Sequence, residues 1–207
     1  MDDRREPDGA TLALLSLAAS FATGDEEVIA REVLRAVAAG VPAGWADELV
    51  LQSVLVVGWP RALTAAALWR SGAGHPAPED DADAHHANLT EWLERGEVTC
   101  RVVYGRNYER LRANVRALHP ALDAWMVLEG YGRTLSRPGL DLGRRELCTV
   151  AQCLVLGAWR QLHSHLRGAR HAGAGEGAVT AALEVARPHV TTTMMQRAEA
   201  LWREVGQ

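Results

Sequence analysis

Two neighbouring runs in the last third of the chain hold the residue types best suited to chemistry. The first, Arg144-Arg145-Glu146-Leu147-Cys148-Thr149-Val150-Ala151-Gln152-Cys153, reads as a helix extending to Leu156. Leu147, Val150, Ala151 and Leu154 form its packing stripe. Glu146, Thr149, Val150 and Cys153 recur at i, i+3, i+4 and i+7 and so share one face. A carboxylate at the edge of a buried face sits where proton-transfer groups work near neutral pH. The second run, Trp159 to His171, follows Gly157 and reads as a helix with Trp159, Leu162, Leu166 and Ala169 inward. His165 flanks that stripe, and Gln161, four residues earlier, points the same way. Consecutive helices packed antiparallel bring Glu146 and His165 to one seam. There they can relay a proton, bind a metal, or simply hydrogen-bond to each other. His163 turns toward Arg167 and Arg170, the solvent side.

Other candidates are weaker. Glu79, Asp80, Asp81 and Asp83 precede His85-His86, but no ligand spacing fixes a geometry there, so a solvated loop is expected and no metal site. Cys148 and Cys153 stand at i and i+5 on one helix. They point about 140° apart and cannot form a disulfide without unwinding it. Cys153 shares the face of Glu146, which makes a single reactive thiol the alternative to a core cysteine. Trp45, Trp59, Trp69, Trp125, Trp159 and Trp202 lie in or beside apolar helical faces and are expected in the core. Trp59 and Trp159, next to turns, are also candidates to line a pocket. Tyr131 precedes the first site helix and is a candidate hydrogen-bond donor there.

The elements that position these groups read as helices throughout. The 207 residues are 48% hydrophobic with a net charge of −4, enough for one sizeable core or two small domains. All 22 basic residues are Arg, and with 35 Ala they favour helix. A pI near 6.1 argues against nucleic-acid binding through a basic face. Three cysteines without paired spacing suit a reducing, cytoplasmic compartment. The most apolar stretch, Leu49 to Trp69, is interrupted by Gln52, Ser53, Gly58, Pro60 and Arg61, which argues against a membrane span. Val28, Ile29, Val33, Ala36 and Val37 face inward on a helix over 25–39. Further helices are expected over 43–57, 61–69, 87–95, 107–117 and 121–134. Only Val98 to Tyr104 has the β-branched density of a strand.

An internal repeat is also legible. Ala67-Leu68-Trp69-Arg70 recurs as Ala200-Leu201-Trp202-Arg203, at an offset of 133. At that offset Gly40 falls on Gly173, Ala36 on Ala169 and Val33 on Leu166. Glu146 falls on Ala13 and His165 on Glu32, so a site using both exists only in the second copy. The expected division is a first helical unit over 1–72, a linker with short helices over 73–106, and a second unit over 107–207.

The run from Arg137 to Leu147, with Gln161 to Ala169 and then Gly173, resembles the carboxymuconolactone decarboxylase family and its alkylhydroperoxidase D-like relatives. Val57-Gly58-Trp59-Pro60-Arg61-Ala62 resembles a turn of the same family. The resemblance implies an all-α fold of antiparallel helices in two family-like units, of alkylhydroperoxidase D-like type, assembled as a homo-oligomer. It makes Glu146 the relay carboxylate and His165 the relay histidine. The cysteine pair of the peroxidase-type members falls here on Ala158 and Gln161, so both sulfurs are missing. The implied function is then proton transfer on a small acidic or carbonyl substrate, without a cofactor. Arg144, Arg145 or Arg167 would hold a carboxylate, and Gln161, Trp159 and Tyr131 would line the site. The alternatives are an antioxidant protein working through Cys153 or a partner, or a scaffold without catalysis.

Overall fold

The structure is a computed structural model that describes residues 7–85 and 88–206. It is all-α, with no strand among the described residues. The helices are α1 (Gly9–Thr23), α2 (Glu26–Ala38), α3 (Ala43–Ala73), α4 (Leu89–Tyr104), α5 (Tyr108–Leu118) and α6 (Pro120–Trp125), which runs into a π-helix (Met126–Leu135). There follow α7 (Leu142–Val155), α8 (Trp159–His171), α9 (Glu176–Glu184) and α10 (Thr192–Gly206). The chain divides into two compact units. One is built from Met1–Pro76 with Gly139–Gln207, the other from Ala77–Pro138.

The first unit closes around a core that includes Leu14, Leu15, Phe21, Ile29, Leu49, Trp69, Val150, Leu154, Leu162 and Leu166. Its helices start on side-chain caps. Asp8 accepts from the Thr11 N–H at 2.8 Å, and Asp141 accepts from the Arg144 N–H at 3.0 Å. Asp25 caps α2 through the Glu27 and Val28 N–H groups. Glycines in the left-handed region end the helices: Gly24 at φ 71° and Gly157 at φ 64° close α1 and α7.

These boundaries repeat along the chain. Adding 133 to the ends of α2 gives the ends of α8, and α1 lands on α7 within one residue. Gly24 and Gly40 land on Gly157 and Gly173, all four with positive φ. Within α3, Gly58 has φ 77° and ψ 166°, a conformation open essentially to glycine alone. It breaks α3 into 43–57 and 59–73. The second piece lands on α10, and the first covers α9 and a 3₁₀ turn at Arg187–His189. α3 is the one described helix long and apolar enough to cross a membrane, but the break divides it.

The unit Ala77–Pro138 takes in both the segment read as a linker and the helices that follow it, because α4 lies along the π-helix. Gly96 and Gly132 make this approach possible, since a Cβ on either would overlap the backbone of the opposite element. Asp83 is buried there and accepts from Trp92 Nε1 at 2.6 Å and from Arg95 and Arg137.

Three local expectations need correction. Val98 to Tyr104 is the end of α4, not a strand, because Trp92, Gly96, Cys100 and Val103 form a buried helical face. Val37 is exposed rather than inward. Trp59 and Trp125 are largely exposed, whereas Trp69 and Trp92 are core. His86 lies outside the described residues, and no group of three metal-ligating side chains occurs among those described.

Candidate active site

α7 and α8 are joined by Leu156, Gly157 and Ala158. The Ala158 N–H donates to the Cys153 carbonyl at 2.9 Å and the Gly157 N–H to that of Leu154 at 3.0 Å. This tight hairpin packs the two helices antiparallel on Val150, Leu154, Leu162 and Leu166. Glu146 and His165 meet across it. His165 Nδ1 stands 2.8 Å from Glu146 Oε2. Glu146 is wholly buried, while the His165 side chain keeps 14% of its surface exposed.

The partner fixes the tautomer. An ionised carboxylate only accepts, so Nδ1 carries the proton and Nε2 is left as the acceptor in the neutral ring. Glu146 Oε1 is buried with no hydrogen-bond partner among the described residues. Leaving such an oxygen unsatisfied in the interior is costly.

The remaining candidates fall into different surroundings. Cys153 feels the charge of Glu146, but burial first, and that charge second, push its thiol up to about 12. Burial pushes Cys148 to about 12 as well. All three cysteines are buried and none is in a disulfide among the described residues. A thiol held protonated at neutral pH is a poor nucleophile, which goes against Cys153 as a catalytic group. Arg145 does not reach toward a substrate. It is 0% exposed, and it donates to Glu48 Oε2 at 2.7 Å, to the Leu140 carbonyl at 2.9 Å and to Gln52 Oε1 at 3.3 Å. Arg144 is taken up by Asp141 at 2.6 Å and Thr11 at 2.9 Å, with its guanidinium over Trp45. Arg167 is half-buried, with no ion pair among the described residues. Gln161 is exposed, and Trp159 is half-buried under the Arg197 guanidinium. Tyr131 belongs to the unit Ala77–Pro138, where its ring meets Tyr104 edge-on.

Glu48, Gln52 and Ser53 of α3 escaped the sequence reading, where Gln52 and Ser53 counted only as breaks in an apolar run. With Arg145, Thr149 and Gln152 of α7 they form a buried polar seam. Gln52 Nε2 and Thr149 Oγ1 both donate to the Arg145 carbonyl, at 3.1 and 3.0 Å. Gln152 Nε2 donates to Ser53 Oγ at 2.7 Å. The available signal was spacing: Glu48 and Gln52 at i and i+4, facing Arg145, Thr149 and Gln152 at i, i+4 and i+7.

Residues 119–204 match the carboxymuconolactone decarboxylase family. That span contains both Glu146 and His165, and for it the resemblance carried by the two site helices is shown. No curated protein shows significant similarity to the chain.

Proposed function

We propose, with a carboxymuconolactone decarboxylase family region over residues 119–204 as the premise, that the chain performs acid–base chemistry on a small acidic or carbonyl substrate. The observation that carries this reading is the buried Glu146 carboxylate 2.8 Å from His165 Nδ1. His165 Nε2 takes a proton from the substrate, the Glu146 carboxylate stabilises the resulting imidazolium, and Nε2 returns the proton to the product. Of Arg144, Arg145 and Arg167, only Arg167 has no ion pair among the described residues, and it projects about 200° around α8 from His165, away from a substrate bound there. The thiols at about 12 weigh against the antioxidant alternative.

The coincident helix ends at an offset of 133 support reading 9–73 and 142–206 as two copies of one helical unit. Buried cysteines outside any disulfide suit a soluble cytoplasmic protein. The exposed apolar residues Leu34, Leu55, Trp59 and Leu63 suit a homo-oligomer.

The test is proton exchange in D2O with a panel of short keto acids and lactones. Deuterium should enter the carbon next to the carbonyl, and His165→Gln or Glu146→Gln should slow this by ~10²–10⁴-fold. Exchange that persists in His165→Gln, or a panel with no exchanging member, overturns the proposal.

A further inference from the structure

The α3/α7 seam has a counterpart within the same unit. Adding 133 carries 43–57 onto α9, and subtracting it carries α7 onto α1, so the counterpart is the α1/α9 packing. Position by position, Glu48, Gln52 and Ser53 correspond to Ala181, Val185 and Ala186. Arg145, Thr149 and Gln152 correspond to Leu12, Ser16 and Ala19. Every group of the polar network is thus replaced by a small or apolar residue, apart from one serine. Leu12, Ala181 and Val185 instead line an open cleft of about 750 Å³. The equivalent helix pair thus carries no buried ion pair, and at these positions it stands partly open where the α3/α7 seam is closed.

A buried arginine–glutamate pair is also a poor source of stability. Its desolvation offsets most of its attraction, and apolar replacements of similar volume are often as stable. What it supplies is a fixed arrangement. At this seam the fixed object is the peptide that joins Arg145 to Glu146. Its carbonyl accepts from both Gln52 and Thr149, while the Arg145 guanidinium is held at Glu48, Gln52 and Leu140. Gly139 completes the clamp, because a Cβ there would come within 2.7 Å of Glu48 Cγ.

We infer that Glu48, Gln52 and Arg145 are positioning residues. The first helical block contributes no acid–base pair of its own, and its α3 holds the backbone that aims Glu146 at His165. The functional value of the clamp rests on the acid–base reading, but its effect on the pair can be read without any substrate.

The experiment writes the counterpart's residues into the seam, as Glu48→Ala/Gln52→Val/Arg145→Leu in the full chain. Circular dichroism and a cooperative melt establish that the variant is folded. The His165 ring is then followed by nitrogen-edited NMR at matched pH, beside Glu146→Gln as the reference for a lost pair. The triple variant should stay helical, with the His165 Nδ1 and Nε2 resonances moved toward those of the Glu146→Gln reference. A folded triple variant whose His165 resonances superimpose on those of the unaltered chain overturns the inference. If the triple variant does not fold, Gln52→Met decides. It removes both Gln52 bonds and leaves the ion pair, so unmoved His165 resonances overturn the inference and a shift in the same direction supports it. Failure of the acid–base reading would show differently, as an absence of proton exchange with the His165 shift still present.

Discussion

The α1/α2 and α7/α8 hairpins share one plan and differ in what they bury. Both open on an aspartate cap and turn on a glycine with positive φ. α1 fills its inner face with Leu14, Leu15, Leu17 and Phe21, whereas α7 buries Arg145, Glu146, Thr149 and Gln152. Where α8 carries His165, α2 carries Glu32, which is buried but tied to Arg35 at 2.7 Å and Arg31 at 3.5 Å near the surface. One backbone thus supports either an apolar interior or a polar one. The polar version needs a neighbour, α3, that satisfies most of its groups. Glu146 and His165 lie in one hairpin, and α3 supplies hydrogen bonds to it.

The sharpest way to break this comparison is to unbalance the polar block. Arg145→Met leaves the Glu48 carboxylate buried without its cation and should destabilise the chain by about 3–5 kcal/mol in urea denaturation. A cost near zero would mean that water reaches the seam. Arg35→Ala, which removes one of the two exposed partners of Glu32, should cost under about 1 kcal/mol.

The thiols give an intermediate effect with a defined sign. Cys148 and Cys153 are pushed up to about 12 in the fold, while unfolded thiols titrate near 8.5. Their stabilising contribution is complete below the unfolded value and is lost as pH rises from about 9 toward 12. The urea midpoint should therefore fall between pH 8 and pH 10.5, and fall less in Cys148→Ala/Cys153→Ala. At pH 7.5 the folded chain should react slowly with a thiol reagent at all three cysteines. Fast labelling of Cys153 would revive the antioxidant reading.

The smallest expected difference lies in the caps. Asp8→Ala and Asp141→Ala remove equivalent cap bonds, and each should cost about 1 kcal/mol by thermal melting, Asp141→Ala somewhat more because Arg144 also donates to it at 2.6 Å. Costs that differ several-fold would show that the two hairpins are less alike than their geometry.

The helices legible in the sequence were those whose apolar spacing and end signals agreed. Trp159 to His171 and the break at Gly58 are examples. Val98 to Tyr104 misled because its β-branched residues are local, while the buried face with Gly96 and Cys100 is a tertiary fact. The π-helix leaves no simple spacing to read. At the site, Glu146 and His165 were legible because both sit on one short hairpin. Glu48 was not, because it reaches α7 only through contacts some 97 residues apart in the chain. Arg145 was misassigned for the same reason: nothing near it in sequence shows that its charge is met inside the protein.

Gly58 bears on more than the turn it makes. A straight helix over the 31 residues of α3 would be roughly 46 Å long, ample for the ~30 Å apolar thickness of a bilayer. Cut at Gly58, each arm is only about 22 Å and falls short of that span. A single residue without a side chain thus takes the most lipid-compatible stretch of the chain out of the length range of a membrane helix. Gly58→Val, which disfavours the bend, would lengthen the rod and weaken the distinction between a segment meant for a protein interior and one meant for lipid.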